Sequence, residues 1–288
     1  MYKDMFGKTR QKVGLHCHST MSDGKKTPEE VAEIYKSAGY DALAITDHWY
    51  YNDIPEISGL RIISGAEFDI GGKDARCGIY HILSLFARKN PKPDRADDAQ
   101  TIIDKIHAAG GLAVLAHPAW SLNTPEMMLA LDGIDATEIY NTVSAVNYNF
   151  RPDSSLIIDT AAYMGGIYPL LATDDSHGYT GADNCVSYIM AECESNEPEE
   201  IKRAIVEKRF YATQGPELHL SREGDNFIVN CSPVEHIYFA SNTSICKRAT
   251  HGEALTYAEY TPVDSDCFVR AFVIDADGKQ AWSNIIRV

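Results

Sequence analysis

The chain lacks any apolar run of the roughly 18 residues that a membrane-crossing helix needs, and its opening MYKDMFGKTRQKVGLH has no apolar signal-peptide core. A soluble, cytoplasmic protein without a membrane partner is therefore expected. Positive charge is scarce: 26 Lys and Arg face 41 Asp and Glu, a formal net charge of −15. Binding to duplex nucleic acid or anionic lipid needs a basic face, so neither is expected as a partner. There is no CxxC pair. Seven cysteines, an odd number, are scattered at positions 17, 77, 185, 193, 231, 246 and 267, which excludes a zinc ribbon or a disulfide framework and predicts reduced thiols. Long internal repeats and low-complexity tracts are also missing.

What is present is 288 residues with 44% hydrophobic content, enough for a barrel-sized domain and a small second one. Strand-like and helix-like runs alternate over the first ~215 residues, the pattern of an α/β fold around parallel strands. Val13-Gly14-Leu15 runs into His16; Thr27-Pro28-Glu29-Glu30 reads as a helix start with N-cap, Pro at N1 and capping-box Glu. Strands are predicted at Ala42–Ile45, Arg61–Ala66, Ile79–Phe86, Leu112–Ala116, Ala136–Tyr140 and Tyr168–Ala172, and helices at Asp97–Ala109, Glu126–Leu131 and Ser154–Met164. About seven strand–helix units favour a closed barrel, with the site at the C-terminal strand ends. From Glu217 the texture turns to short alternating segments separated by turns such as Glu223-Gly224-Asp225-Asn226. This predicts domains at 1–216 and 217–288, the second a β-sandwich-like antiparallel module.

Histidine and carboxylate gather where apolar runs end. His16 and His18 are two apart, so an extended segment points both the same way. Asp23 lies in the turn Ser22-Asp23-Gly24, and His48 follows Thr46-Asp47 at a strand mouth. Glu67 comes straight after an apolar run, where a buried carboxylate is costly without a cation, and it is the candidate bridging ligand. His81 lies inside an apolar strand, where a hydrogen-bonded core histidine is the competing reading. His117-Pro118 ends another strand, and Asp175 and His177 repeat the two-residue spacing while Asp174 points elsewhere. Helix residue His107 is read as surface or packing. Lys25, Arg76 and Arg151 lie in loops able to reach the mouth as substrate-binding cations, or are ordinary surface residues. Trp49, Tyr50 and Tyr51 suit either ring stacking or loop packing.

Taken together, His16-x-His18, Ser22-Asp23-Gly24, Thr46-Asp47-His48, Glu67, His81, His117-Pro118 and Asp175-x-His177 resemble the signature of the PHP (polymerase and histidinol phosphatase) superfamily over residues 12 to 215. Ala136–Asn141 resembles that family's E-x-Y-N strand, and the C-terminal segment is similar to the β extension of a branch with carbaryl-type hydrolases. The resemblance implies a distorted (β/α)7 TIM-like barrel binding two or three divalent ions, zinc, manganese or iron. One ion would use His16, His18, Glu67 and Asp175, a second Glu67, His81 and His117, and a third Asp23, His48 and His177. The implied activity is hydrolysis of a small anionic phosphomonoester or phosphodiester by a metal-bridging hydroxide, with Asp23 or His177 protonating the leaving oxygen. Carbamate, ester or amide hydrolysis by the same centre, and a non-catalytic metal-stabilised module, are the alternatives.

Overall fold

Two arcs of β-sheet close on each other at the residues that carry the histidine motifs. The computed structural model describes residues 2–71, 79–243 and 248–288. β1 (Tyr2–Lys3) pairs with β2 (Thr9–Gly14), which leads into His16. Thr27 caps α1 (Pro28–Ser37): its hydroxyl accepts from the Glu30 N–H while the Glu30 carboxylate accepts from the Thr27 N–H. Val31, Ala32 and Tyr35 of that helix face inward. The all-buried β3 (Ala42–Ala44) follows, then β4 (Glu56–Ile57) and β5 (Leu60–Ile63); β2, β3 and β5 run parallel.

The second arc has the order β10-β9-β8-β7-β6. It comprises β6 (Gly65–Gly71), β7 (Ile79–Leu85), β8 (Leu112–Leu115), β9 (Ala136–Asn141) and β10 (Leu170–Thr173). The helices between these strands are α2 (Ala99–Ala108), α3 (Pro125–Leu129), α4 (Thr142–Val146) and α5 (Ser155–Tyr163). α2 buries Ile102, Ile103 and Ile106, the face expected from its periodicity. Isolated bridges Cys17–Ser176, His48–Glu67 and Asn52–Gly65 join the two arcs.

This ring differs from seven parallel strand–helix units. β6 pairs antiparallel with β7, and β7 antiparallel with β8. Only residues 72–78 separate β6 from β7, fewer than the dozen or more that a parallel crossover needs, so the chain has to double back. The run Arg61–Ala66, expected as one strand, divides at Ser64 into β5 and β6, which belong to different arcs.

β11 (Tyr188–Glu192), α6 (Pro198–Val206) and β12 (Phe210–Thr213) build outward, β11 pairing antiparallel with both β2 and β12. The alternating C-terminal segments are β13 (Leu218–Glu223), β14 (Asn226–Ala240), β15 (Ala249–Tyr260), β16 (Phe268–Ile274), β17 (Gln280–Trp282) and β18 (Ile286–Arg287), all antiparallel. Because β17 pairs with β12 as well as β16, one sheet runs from the ring into these strands. Phe268 and Trp282 share a core with Ile189 and Phe210. Arg270, nearly fully buried, donates from Nε and Nη2 to the two Asp159 carboxylate oxygens of α5 at 2.6 and 2.7 Å.

Candidate metal centre

The extended stretch after β2 puts His16 and His18 on one side and Cys17 on the other, packed among core residues. The Asp175 N–H donates to the His16 carbonyl and the His18 N–H to the Ser176 carbonyl, both at 2.9 Å, which fixes the ends of β2 and β10 side by side. Glu67 is the third residue of β6 and His81 the third of β7. The reversal of β7 therefore brings the start of that strand to the rim, while His48, His117, Asp175 and His177 follow the ends of β3, β8 and β10. Gly24 makes the Asp23 turn possible: a Cβ there would stand 2.4 Å from the His18 carbonyl oxygen.

Nine side chains expected as ligands converge. Glu67 Oε2 lies 3.0 Å from His18 Nε2 and 3.2 Å from His16 Nε2, and Asp175 Oδ1 lies 3.1 and 3.2 Å from the same two nitrogens. The other Glu67 oxygen, Oε1, is 2.7 Å from His81 Nδ1 and 3.4 Å from His117 Nε2. On the open side Asp23 Oδ2 is 3.4 Å from His177 Nε2 and 4.0 Å from His48 Nε2. Three groups thus have ligand atoms close enough to hold a metal ion: His16, His18, Glu67 and Asp175; Glu67, His81 and His117; and His18, Asp23, His48 and His177. His18 adds to the third set through its Nδ1, 3.6 Å from Asp23 Oδ1.

The surroundings aim these atoms. His16 Nδ1 donates to Glu138 Oε1 at 2.7 Å and His177 Nδ1 to the Asp175 carbonyl at 2.8 Å, leaving each Nε2 lone pair facing the centre. Glu138 also accepts from the His117 N–H and from Asn141 Nδ2, and Asn141 Nδ2 reaches Asp175 Oδ2 at 3.2 Å. Asp47 and Asp174 turn away from the centre. Asp47 accepts from Ser19, Ser22 and Asn52, and Asp174 from Tyr35 and the N–H groups of Cys185, Val186 and Ser187. His117 and Asp175 have positive φ, 28° and 55°, strained backbone held at the centre itself.

Burial opposes a charged imidazole at His16, yet the carboxylates of Asp175, Glu67 and Glu138 outweigh it and lift its pKa well above the ordinary value. Burial likewise works against a charged Glu67, but His16 and His81 hold its carboxyl well below the usual range. At His177 burial is outweighed by Asp23 and Asp175, which raise it to about 9. Carboxylates this buried demand positive charge beside them. The Oδ1 of Asp175 and Nδ1 of His48 are buried with no hydrogen-bond partner. Unpartnered acceptors and converging imidazoles fit divalent cations, which would supply that charge.

Asp23, His48, Glu67, His81, His117, Asp175 and His177 line a cavity of about 60 Å3 with Trp120, Ser144 and Tyr148. Lys25 and Arg151 are exposed and are not among its lining residues. Arg76 lies outside the described residues. Trp49 stacks edge-on against Phe68 and Tyr51 donates to the Ala87 carbonyl, so both serve loop packing, while Tyr50 is exposed. Trp120 and Tyr148 escaped the sequence reading, because an aromatic residue in a loop carries no periodic signal. Nothing in the linear order links them.

Fold and centre together define an α/β protein with histidine–carboxylate clusters able to bind metal. The family model described as PHP domain matches residues 14–153, about half of the chain. The chain is 30% identical over 115 residues to a 5′-3′ exoribonuclease of Haemophilus influenzae, covering 35% of this chain and 41% of that protein. It is 28% identical over 152 residues to an uncharacterised protein of Methanocaldococcus jannaschii, covering 47% and 86%. The chain thus spans less than half the length of the exoribonuclease it matches. A crystal structure of a two-domain protein containing a predicted PHP-like metal-dependent phosphoesterase, from Bacteroides vulgatus, shares the fold at a TM-score of 0.55 and 16% identity, covering 100% of this chain and 97% of that one. The expectation from net charge that nucleic acid is no partner finds no support in these comparisons, one of which is with an exoribonuclease. Among the described residues no helix is long and apolar enough to cross a membrane.

Proposed function

We propose that the chain is a metal-dependent hydrolase that cleaves a phosphomonoester or small phosphodiester. The observation that carries this reading is the division of Glu67: one oxygen faces His16 and His18, the other His81 and His117. A carboxylate shared in this way is the means of holding two cations at phosphate-spanning distance. When bound, zinc, manganese or iron would lower the pKa of coordinated water and offset the negative charge of a phosphate.

The side chains have separate parts in this proposal. His16, His18, Glu67 and Asp175 hold one ion, Glu67, His81 and His117 a second, and Asp23, His48 and His177 a third where it is present. Where that third ion is absent, Asp23 or His177, on the open side, would hold a proton and pass it to the leaving oxygen. Trp120 and Tyr148 line the cavity beside the imidazoles. A cavity of about 60 Å3 admits a terminal phosphate rather than a whole ligand, since pockets enclosing a ligand run to roughly 300–1,000 Å3. Lys25 and Arg151 would contact parts of the substrate lying outside the cavity. Residues 1–216 would carry the chemistry and 217–288 brace it through the shared sheet. A cytoplasmic setting belongs to the proposal because the five described cysteines are unpaired.

The test is a panel of phosphomonoesters against naphthyl carbamates with Mn2+ or Zn2+, alongside metal analysis. Metal-dependent phosphate release is expected. Carbamate cleavage without phosphate release would assign the centre to carbon chemistry, and stoichiometric metal with neither activity would make it a structural module.

A further inference from the structure

The cavity's inner end is made of imidazoles and carboxylates, but its outer end is aromatic. Trp120 meets both His117 and His81 edge-on, with ring centroids 5.0 and 5.5 Å apart. Tyr148 continues the wall outward, 5.6 Å from Trp120 and tilted by 59°, and it is 52% exposed. Leu122 and Phe150 of the same two loops, and Val146 at the end of α4, are also exposed. Large apolar side chains left in water on loops that issue from a polar centre cost free energy unless something covers them. On the phosphoester reading a terminal phosphate would occupy the cavity, so the remainder of the substrate would lie on this rim. None of the described lining residues of the cavity is a lysine or arginine.

We propose that Trp120 and Tyr148 form a subsite for a planar ring in the organic part of the phosphate ester. This rests on the phosphoester reading above and names its substrate class. A ring laid on the free face of one aromatic meets the other at an angle, and ring-on-ring packing of this kind outweighs what its area alone contributes. A saturated ring of the same size has no such gain.

2-Phenylethyl and 2-cyclohexylethyl phosphate test this, because their leaving alcohols have closely matched acidity and only one carries a planar ring. The metal-loaded protein should favour the phenyl ester about fivefold in kcat/KM, mainly through KM, and Trp120→Leu or Tyr148→Leu should bring the ratio close to one. The ratio cancels general damage to the enzyme. Tyr148 is exposed enough that its replacement leaves the fold intact. The readout independent of turnover is binding of 2-phenylethyl phosphonate against 2-cyclohexylethyl phosphonate, followed by tryptophan fluorescence. Tighter binding of the phenyl compound, with quenching lost in Trp120→Leu, is expected. Equal binding of the two phosphonates, or a ring preference that survives both substitutions, overturns the subsite. Ring-selective phosphonate binding without ester cleavage would instead refute the phosphoester reading and leave the subsite standing.

Discussion

Glu67 and His81 sit diagonally across the β6–β7 pair, Glu67 opposite Leu83 and His81 opposite Asp69, so both side chains share one face and meet at 2.7 Å. The hairpin that spoils the parallel barrel is what makes this contact. Because β7 also runs antiparallel to β8, its start, and His81 with it, stands beside the end of β8, where His117 follows.

Glu67→Gln keeps the shape but removes one of two negative charges from the first ligand set and the only one from the second. Metal content should fall, and kcat/KM should drop by more than the roughly 10–100-fold that losing an outer hydrogen-bond partner costs. Metal analysis of the purified variant together with phosphate release checks this; full metal occupancy would refute the bridging role.

Glu138 touches no shared ligand atom, yet it holds His16 Nδ1 and the His117 N–H. Glu138→Gln should weaken metal binding by about 10–100-fold without emptying the centre. Competition against a chelator measures it, and restored turnover at high metal concentration distinguishes misorientation from collapse.

Gly24→Ala sets a methyl group against the His18 carbonyl, a backbone atom that cannot swing aside. The Ser19–Gly24 loop should shift at a stability cost of about 1–3 kcal/mol. Turnover should fall further than stability implies, because Asp23 moves with the loop. Urea unfolding and kinetics on one preparation separate the two effects.

Acid should loosen the C-terminal strands at Asp266. Burial raises the pKa of this carboxyl, but hydrogen bonds from Ser241, Tyr260, Thr243 and the Val263 N–H outweigh it and lower it from 3.8 to about 2. Arg248 Nη2 adds a contact at 2.6 Å. A folded pKa below the unfolded one gives stability that is complete above about pH 4 and lost as pH falls towards 2, here about 2 kcal/mol. Urea midpoints between pH 5 and pH 3 should therefore decline more steeply for the native protein than for Asp266→Asn.

The sequence by itself singled out the candidate ligand residues that converge, because a charged or imidazole side chain at the end of an apolar run is either satisfied by a cation or costly to bury. His16, His18, Glu67, His117 and Asp175 are nearly fully buried and meet within hydrogen-bonding distances, as their positions at strand ends imply. Capping chemistry fixed α1 in the same local way, through Thr27 and Glu30. The direction of β7, the two-sided placement of His18, the grip of Glu138 on His16, and the meeting of Trp120 with Tyr148 came only from the tertiary structure. Those depend on which strands become neighbours when the two arcs close, and local sequence carries the periodicity of a strand but not the identity or direction of its partner.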